Sequence, residues 1–359
     1  MSKKDKHGRA ASAFSKTTGV PYETSRVWAK QGFISLRRPF PKRQDEPSDY
    51  VAELRAEATG WPTEECLKWA EQGFISTSLP IPDASSAEQR HLEAFVVHVL
   101  AEALRDGQLD SAVFGVTRVR PLPSFPVFYL HAEMANVVVS EVLPRFEAGY
   151  GGIKGIPGLR PAPSPEGGLD LRLVGTGARV RFVSERGDWQ PTFPANVAPG
   201  GTTADREDDQ EVRQLWRSEE TLDPLEHEEL RFWNMEPSSR RRDVIERNWL
   251  LSRILRRSAL ANMTGKSHGW ANTYTHAYED VVMEWCCGED PRRVMSKFLR
   301  SGLTTTPPGM HMRPDPDFKH SETFYFGSGR AYVRRLSGCN ISEGVAEKIR
   351  ASIRERYTR

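Results

Sequence analysis

The sequence has no long hydrophobic run. Its most apolar stretch, Ala94–Leu104, is interrupted by His98 and Glu102 and falls well short of the roughly 20 apolar residues that cross a bilayer. No membrane-spanning helix and no membrane partner are expected. The basic opening MSKKDKHGR leads into ASAFSKTTG rather than into an apolar core with a cleavage pattern, so the chain is expected to stay in the cytoplasm. Cysteine is scarce as well. Cys66, Cys286, Cys287 and Cys339 show no CxxC spacing, which suits neither a zinc knuckle nor a disulfide framework. Phosphate-binding loops are missing too: Gly151-Gly152-Ile153-Lys154-Gly155 lacks the P-loop spacing. Thr264-Gly265-Lys266-Ser267 has a GKS ending, but Leu260 stands where the first glycine belongs.

What is present is charge and punctuation. Charged residues make up 27 % of 359 and hydrophobic ones 38 %, with 25 prolines and a mean hydropathy of −0.57. That composition reads as a polar globular protein of two or three domains with long connections. Arginine outnumbers lysine 38 to 12. Codon usage in a GC-rich genome accounts for such a bias without any ligand, so the bias alone carries no functional weight.

The strongest feature is an internal repeat near the N-terminus, at one fixed offset. TGVPYETSRVWAKQGFISLRRPFP (Thr18–Pro41) and TGWPTEECLKWAEQGFISTSLPIP (Thr59–Pro82) share 13 of 24 positions. Each copy reads as a helix, a turn at Gly19 or Gly60, a proline in the next first turn, and a second helix carrying Trp28 or Trp69 that stops at Gly32 or Gly73. Helix, glycine-containing turn, helix is the outline of a helix-turn-helix, shared with small αα-hairpins. The two tryptophans are expected in equivalent, largely buried places.

Beyond the repeats, a capping box at Ser85–Glu88 precedes a helix whose apolar residues run from Leu92 to Leu104 at helical spacing. Short β-like runs and a helix over about His131–Leu143 follow. Gly149–Gly168 reads as loop, LDLRLV-GTG-ARVRFV as a hairpin, and Gly187–Gln210 as a flexible linker. The acidic segment Asp205–Glu236 has net charge −8 and is expected to turn helical from about Leu222. Ser239–Asn262 is expected as an amphipathic helix with Arg242, Arg253, Arg256 and Arg257 opposite its apolar arc, free to pair with that acidic segment. A helix over Ala271–Cys287, a short helix from Asp290 to Leu303, a hairpin TFYF-GSG-RAYVRR and a last helix capped by Asn340 complete the chain. The expected fold is therefore α+β and predominantly helical: tandem helix-turn-helix-like repeats over 1–84, an α+β middle domain over 85–187, an acidic linker and helix over 188–236, and an α-rich domain with a β-hairpin over 237–359.

Charge separates the two repeats. Residues 1–44 carry net +9 and residues 45–110 net −10. In the first copy Arg26, Lys30, Arg37 and Arg38 can neutralise phosphates while Tyr22 and Ser25 offer polar contacts in a groove. In the second, Glu64, Glu65 and Glu71 would repel a duplex. Further arginines cluster on the two hairpins, at Arg172, Arg179 and Arg181 and at Arg330, Arg334 and Arg335.

For catalysis, His311, Asp315, Asp317 and His320 form the densest group of ligand types, suited to a divalent metal that activates water, although no HExxH spacing appears and Pro314 and Pro316 favour an extended loop. His276 and Asp280, four apart, would share a helix face, where a carboxylate can orient an imidazole base. The leading expectation is a bacterial cytoplasmic protein that binds nucleic acid or a protein partner through the duplicated module. The alternative is a metal-dependent hydrolase or nuclease with its site in the C-terminal domain, and a third reading is a structural or assembly protein.

Overall fold

In the computed structural model the described residues are 5–18, 22–30, 48–75, 81–103, 113–164, 167–187, 189–191, 212–217, 221–234, 249–261, 271–276, 280–285, 298, 301, 310–314, 321–326 and 329–335. They make a mixed α/β architecture. Among them no helix is long and apolar enough to cross a membrane.

Four helices open the chain: α1 (Lys6–Thr18), α2 (Tyr22–Lys30), α3 (Ser48–Thr59) and α4 (Thr63–Glu71). α1 packs on α2, and α3 on α4. α5 (Ala87–Ala103) follows, started by Ser86, whose hydroxyl accepts the Gln89 N–H. A five-stranded sheet has the order β1-β2-β7-β6-β5, from β1 (Val116–Pro121), β2 (Pro126–Leu130), β5 (Leu159–Pro163), β6 (Leu169–Leu173) and β7 (Arg179–Ser184). Its one parallel pair is β2 with β7. Helix α6 (Ala135–Val142) lies between β2 and a small sheet of β3 (Arg145–Glu147), β4 (Gly152–Lys154) and β8 (Val212–Gln214). A second five-stranded sheet has the order β11-β12-β13-β10-β9, from β9 (Ala271–His276), β10 (Asp280–Trp285), β11 (Met310–Pro314), β12 (Ser321–Phe326) and β13 (Gly329–Arg335).

The α5 helix, α6, the β6–β7 hairpin and the β12–β13 hairpin match the sequence reading. Helix α7 (Pro224–Asn234) also starts where expected, because Asp223-Pro224-Leu225-Glu226 closes a capping box. The Leu225 N–H donates to Asp223 Oδ1 (2.9 Å) and the Asp223 N–H to Glu226 Oε2 (3.0 Å). Glu226 is fully buried and also receives Arg160 through both oxygens (2.9 and 2.6 Å), which ties α7 to β5.

Three expectations are corrected. Gly149–Gly168 holds β4 and β5 rather than only loop; Pro161 and Pro163 fit β5 because it is the sheet edge, where a missing N–H costs no ladder bond. Ala271–Cys287 contains two antiparallel strands in place of a helix, in keeping with its Thr, Tyr and Val content. In the expected helix over Ser239–Asn262 the described part is α8 (residues 249–255), followed by a turn and a single 3-10 turn at Ser258–Ala261. Arg253, Arg256 and Arg257 are interior rather than solvated, and Arg242 lies outside the described residues. The Gly187–Gln210 linker, the helix from Asp290 apart from Phe298 and Ser301, and the Asn340 helix lie largely or wholly outside the described residues.

Arg253, Arg256 and Arg257 are among the most buried side chains, each at most 1 % exposed. Arg256 donates to both carboxylate oxygens of Glu93 on α5 (2.8 and 2.6 Å) and to the carbonyls of Pro82 and Leu122. Glu93 further accepts from Ser252 (2.6 Å) and from Gln89 (2.9 Å). Arg253 pairs with Asp83 and stacks 3.3 Å over the Trp249 ring. Arg257 hydrogen-bonds no carboxylate among the described residues; it donates to Ser301 and to the carbonyls of Arg253 and Ile81. Burial pulls Arg253 down to about 10 and Arg257 to about 9, which leaves both charged at neutral pH. Among the described residues the acids that answer Arg253 and Arg256 are therefore Asp83 and Glu93, far upstream in the chain.

Candidate nucleic-acid interface

Asp5 caps α1 by accepting the His7 N–H (3.0 Å). On α1 the small residues Ala10 and Ala11 are buried, and on α2 so are Ser25 and Ala29, four apart. Small side chains on both helices allow a close crossing. That inward choice leaves positions 22, 23, 26, 27 and 30 on the other side of α2. Tyr22 is 41 % exposed, Val27 51 %, Glu23 and Lys30 are exposed, and Arg26 is half-buried. A phenol, a carboxylate, two cations and a valine thus form one outward stripe at helical spacing, net positive in charge.

Of the residues singled out for nucleic acid, Tyr22, Arg26 and Lys30 come together on this stripe. Ser25 faces the interior and cannot reach a groove. Arg37 and Arg38 lie outside the described residues, as does the side chain of Trp28.

The second pair carries the same inward positions: Val51 and Cys66 stand as larger residues at the repeat positions of Ala10 and Ser25, and Ala52 and Ala70 match Ala11 and Ala29. With Ile75 and Trp69 they build a small core of their own. Its outward positions differ in kind. Glu64 matches Glu23, but Thr63, Leu67, Lys68 and Glu71 replace Tyr22, Arg26, Val27 and Lys30, with Leu67 packed on the small core, so this face is net acidic where the first is net cationic.

The second pair is also fixed to the first sheet. Trp61, which stands where the first copy has Val20, donates its indole N–H to the Val119 carbonyl (3.0 Å) and meets the Tyr129 ring edge-on at 5.0 Å. The Arg118 guanidinium lies against both rings, 4.9 and 5.1 Å from their centroids. Gly60 makes the turn with φ +74°, and a Cβ there would overlap the Thr117 carbonyl oxygen. Gly60→Ala is therefore expected to destabilise the chain by about 1–3 kcal/mol. A denaturant melt checks this, and an unchanged midpoint would mean that the pair is not seated on β1.

Burial pushes the Cys66 thiol up to about 11. At pH 8 it is protonated and inert, so iodoacetamide should modify Cys66 only after denaturation, as read by peptide mass. Rapid native labelling would mean that this small core opens freely.

The other arginine clusters are partly spent. Arg181 is tied to Asp170 (2.5 Å), and Arg179 lies 3.9 Å from the centre of the Phe125 ring, leaving Arg172 exposed. On β13, Arg330 and Arg334 stand in register with Asp280 and Glu284 of β10.

The catalytic candidates do not assemble. His276 and Asp280 are direct cross-strand partners in β9 and β10, not one helical turn apart. His311 lies on β11 opposite Tyr325, while Asp315, Asp317 and His320 lie outside the described residues. Among the described residues no group of three His, Cys, Asp or Glu is placed to hold a metal ion. A cavity of about 390 Å³ between α5, the β6–β7 turn and α7 is lined by Glu88, His91, Phe95, Leu173, Thr176 and Leu230, none of them among the catalytic, metal or nucleic-acid candidates read from the sequence.

The Glu93 network was missed. The signal was available in the sequence as an acid set inside the apolar run LEAFVVHVL. Comparison of the chain with family models, with curated proteins and with solved structures finds no match.

Proposed function

We propose that the chain is a cytoplasmic nucleic-acid-binding protein whose N-terminal part is a tandem of helix-turn-helix-like units with divided roles. The first unit makes the contact. Arg26 and Lys30 of α2, with Arg37 and Arg38 just beyond, neutralise phosphates, and Tyr22 packs against sugar or base. The second unit is the mount, held to the first sheet by Trp61 and kept off the polyanion by Glu64, Glu65 and Glu71. The observation that carries this reading is the outward stripe of Tyr22, Arg26 and Lys30 within a segment of net charge +9.

The test is a titration of the intact chain with duplex and single-stranded DNA and RNA near 50 mM salt, where backbone contacts are strongest. Binding to at least one of the four is expected. Failure with all four would retire the reading and turn the same stripe, with Val27 at its centre, into a surface for a protein partner.

A further inference from the structure

The two five-stranded sheets have one topology. Taken in chain order within each sheet, both run first, second, fifth, fourth, third. In both, the second and fifth strands are parallel and every other neighbouring pair is antiparallel. The spacing agrees as well. Strands that start at Val116, Pro126, Leu159, Leu169 and Arg179 recur at Ala271, Asp280, Met310, Ser321 and Gly329, a nearly constant displacement along the chain.

Helices follow the same plan. Each sheet is preceded by one, α5 or α8. The buried residues Val96, Val97, Leu100 and Ala101 of α5 correspond one for one, at a single offset, to the buried Leu250, Leu251, Ile254 and Leu255 of α8. That offset is the one that relates β2 to β10. Between the second and third strands the first sheet has α6 and the second has the helical position Phe298, which is fully buried.

The packing is reciprocal. Helix α5 lies against β9, the first strand of the second sheet. The turn that ends α8 lies against β1, the first strand of the first sheet, and Arg256 there donates to Leu122 at the end of β1. The two helices meet each other through Glu93 with Ser252 and Arg256.

We propose that residues 87–184, setting aside the strands β3 and β4 of the small sheet, and residues 249–335 are two copies of one αββαβββ unit, joined in a single chain as a pseudodimer in which the first helix of each copy, or the turn that ends it, reaches across to the first strand of the other. The partner that each unit is built to recognise is then a second copy of itself, and the α5–α8 seam is the approximate two-fold interface between them. This duplication is separate from the shorter N-terminal repeat and leaves no comparable identity in the sequence, because strand order and burial need only residues of the right kind, whereas the helical repeat retains the residues themselves.

A site-specific protease sequence placed between Asn234 and Ser239 of the full chain tests it. After cleavage the two pieces should elute together as a 1:1 complex in native buffer and unfold in one denaturant transition. Separation in native buffer, or two independent transitions, would overturn the proposal. Amide exchange on the uncut chain gives a second reading: α5 and β9 should open with a common free energy, and an α5 that opens with β7 but independently of β9 would equally overturn it.

Discussion

Glu93→Ala is expected to lower the unfolding free energy by about 3–5 kcal/mol, a large share of the roughly 5–15 kcal/mol that domains typically have. The carboxylate sits in the interior and accepts from Arg256, Ser252 and Gln89, and Gln89 in turn exchanges hydrogen bonds with the backbone of Arg179 on β7. Removing it leaves a wholly buried guanidinium without its counter-charge. The cost is therefore that of a stranded charge rather than of one hydrogen bond. Replacing both partners, Glu93→Leu with Arg256→Met, should cost much less than Glu93→Ala alone, since no orphan charge remains. Denaturant midpoints of the three proteins decide. A change below about 1 kcal/mol in Glu93→Ala would mean that water reaches the pair.

The second large effect is on binding. Changing Arg26, Lys30, Arg37 and Arg38 together to alanine is expected to weaken nucleic-acid affinity at about 50 mM salt by roughly two orders of magnitude or more, the share that four phosphate contacts carry. Changing Glu64, Glu65 and Glu71 to alanine should leave affinity intact or raise it, because those carboxylates stand on the repelling face. The mount itself should be unaffected in both variants, as its anchors Trp61 and Gly60 are untouched. Equal losses in the two variants would show that the units do not divide the work.

How much of this was legible in the sequence depended on the range of the forces involved. The turn at Gly60, the helix start expected at Ser85–Glu88 and the hairpin around Gly175 are local, so a short window of sequence was enough to find them. The apolar periodicity of α5 was equally plain. In contrast, the partners of Arg253 and Arg256 lie in a distant part of the chain, and an arginine face looks the same in sequence whether water or Glu93 answers it. The strands β9 and β10 were lost for another reason. His276 and Asp280 are four apart, a spacing that serves a helix face and a tight antiparallel turn equally well, and only the β-branched and aromatic content of the segment separates the two. For the candidate interface, charge alone pointed to the first unit. Only packing could reveal that Ser25 faces inward while Tyr22 and Lys30 face out.

The most direct measurement of the central claim is the slope of log affinity against log salt for the unmodified chain, set beside that of the Arg26, Lys30, Arg37 and Arg38 alanine variant. Four phosphate contacts predict a slope of about −3 to −4, and their loss should flatten it by about one unit each. A slope near zero in the unmodified chain, or one that the four substitutions leave unchanged, would contradict the assignment of α2 and its basic flank as the surface that holds nucleic acid.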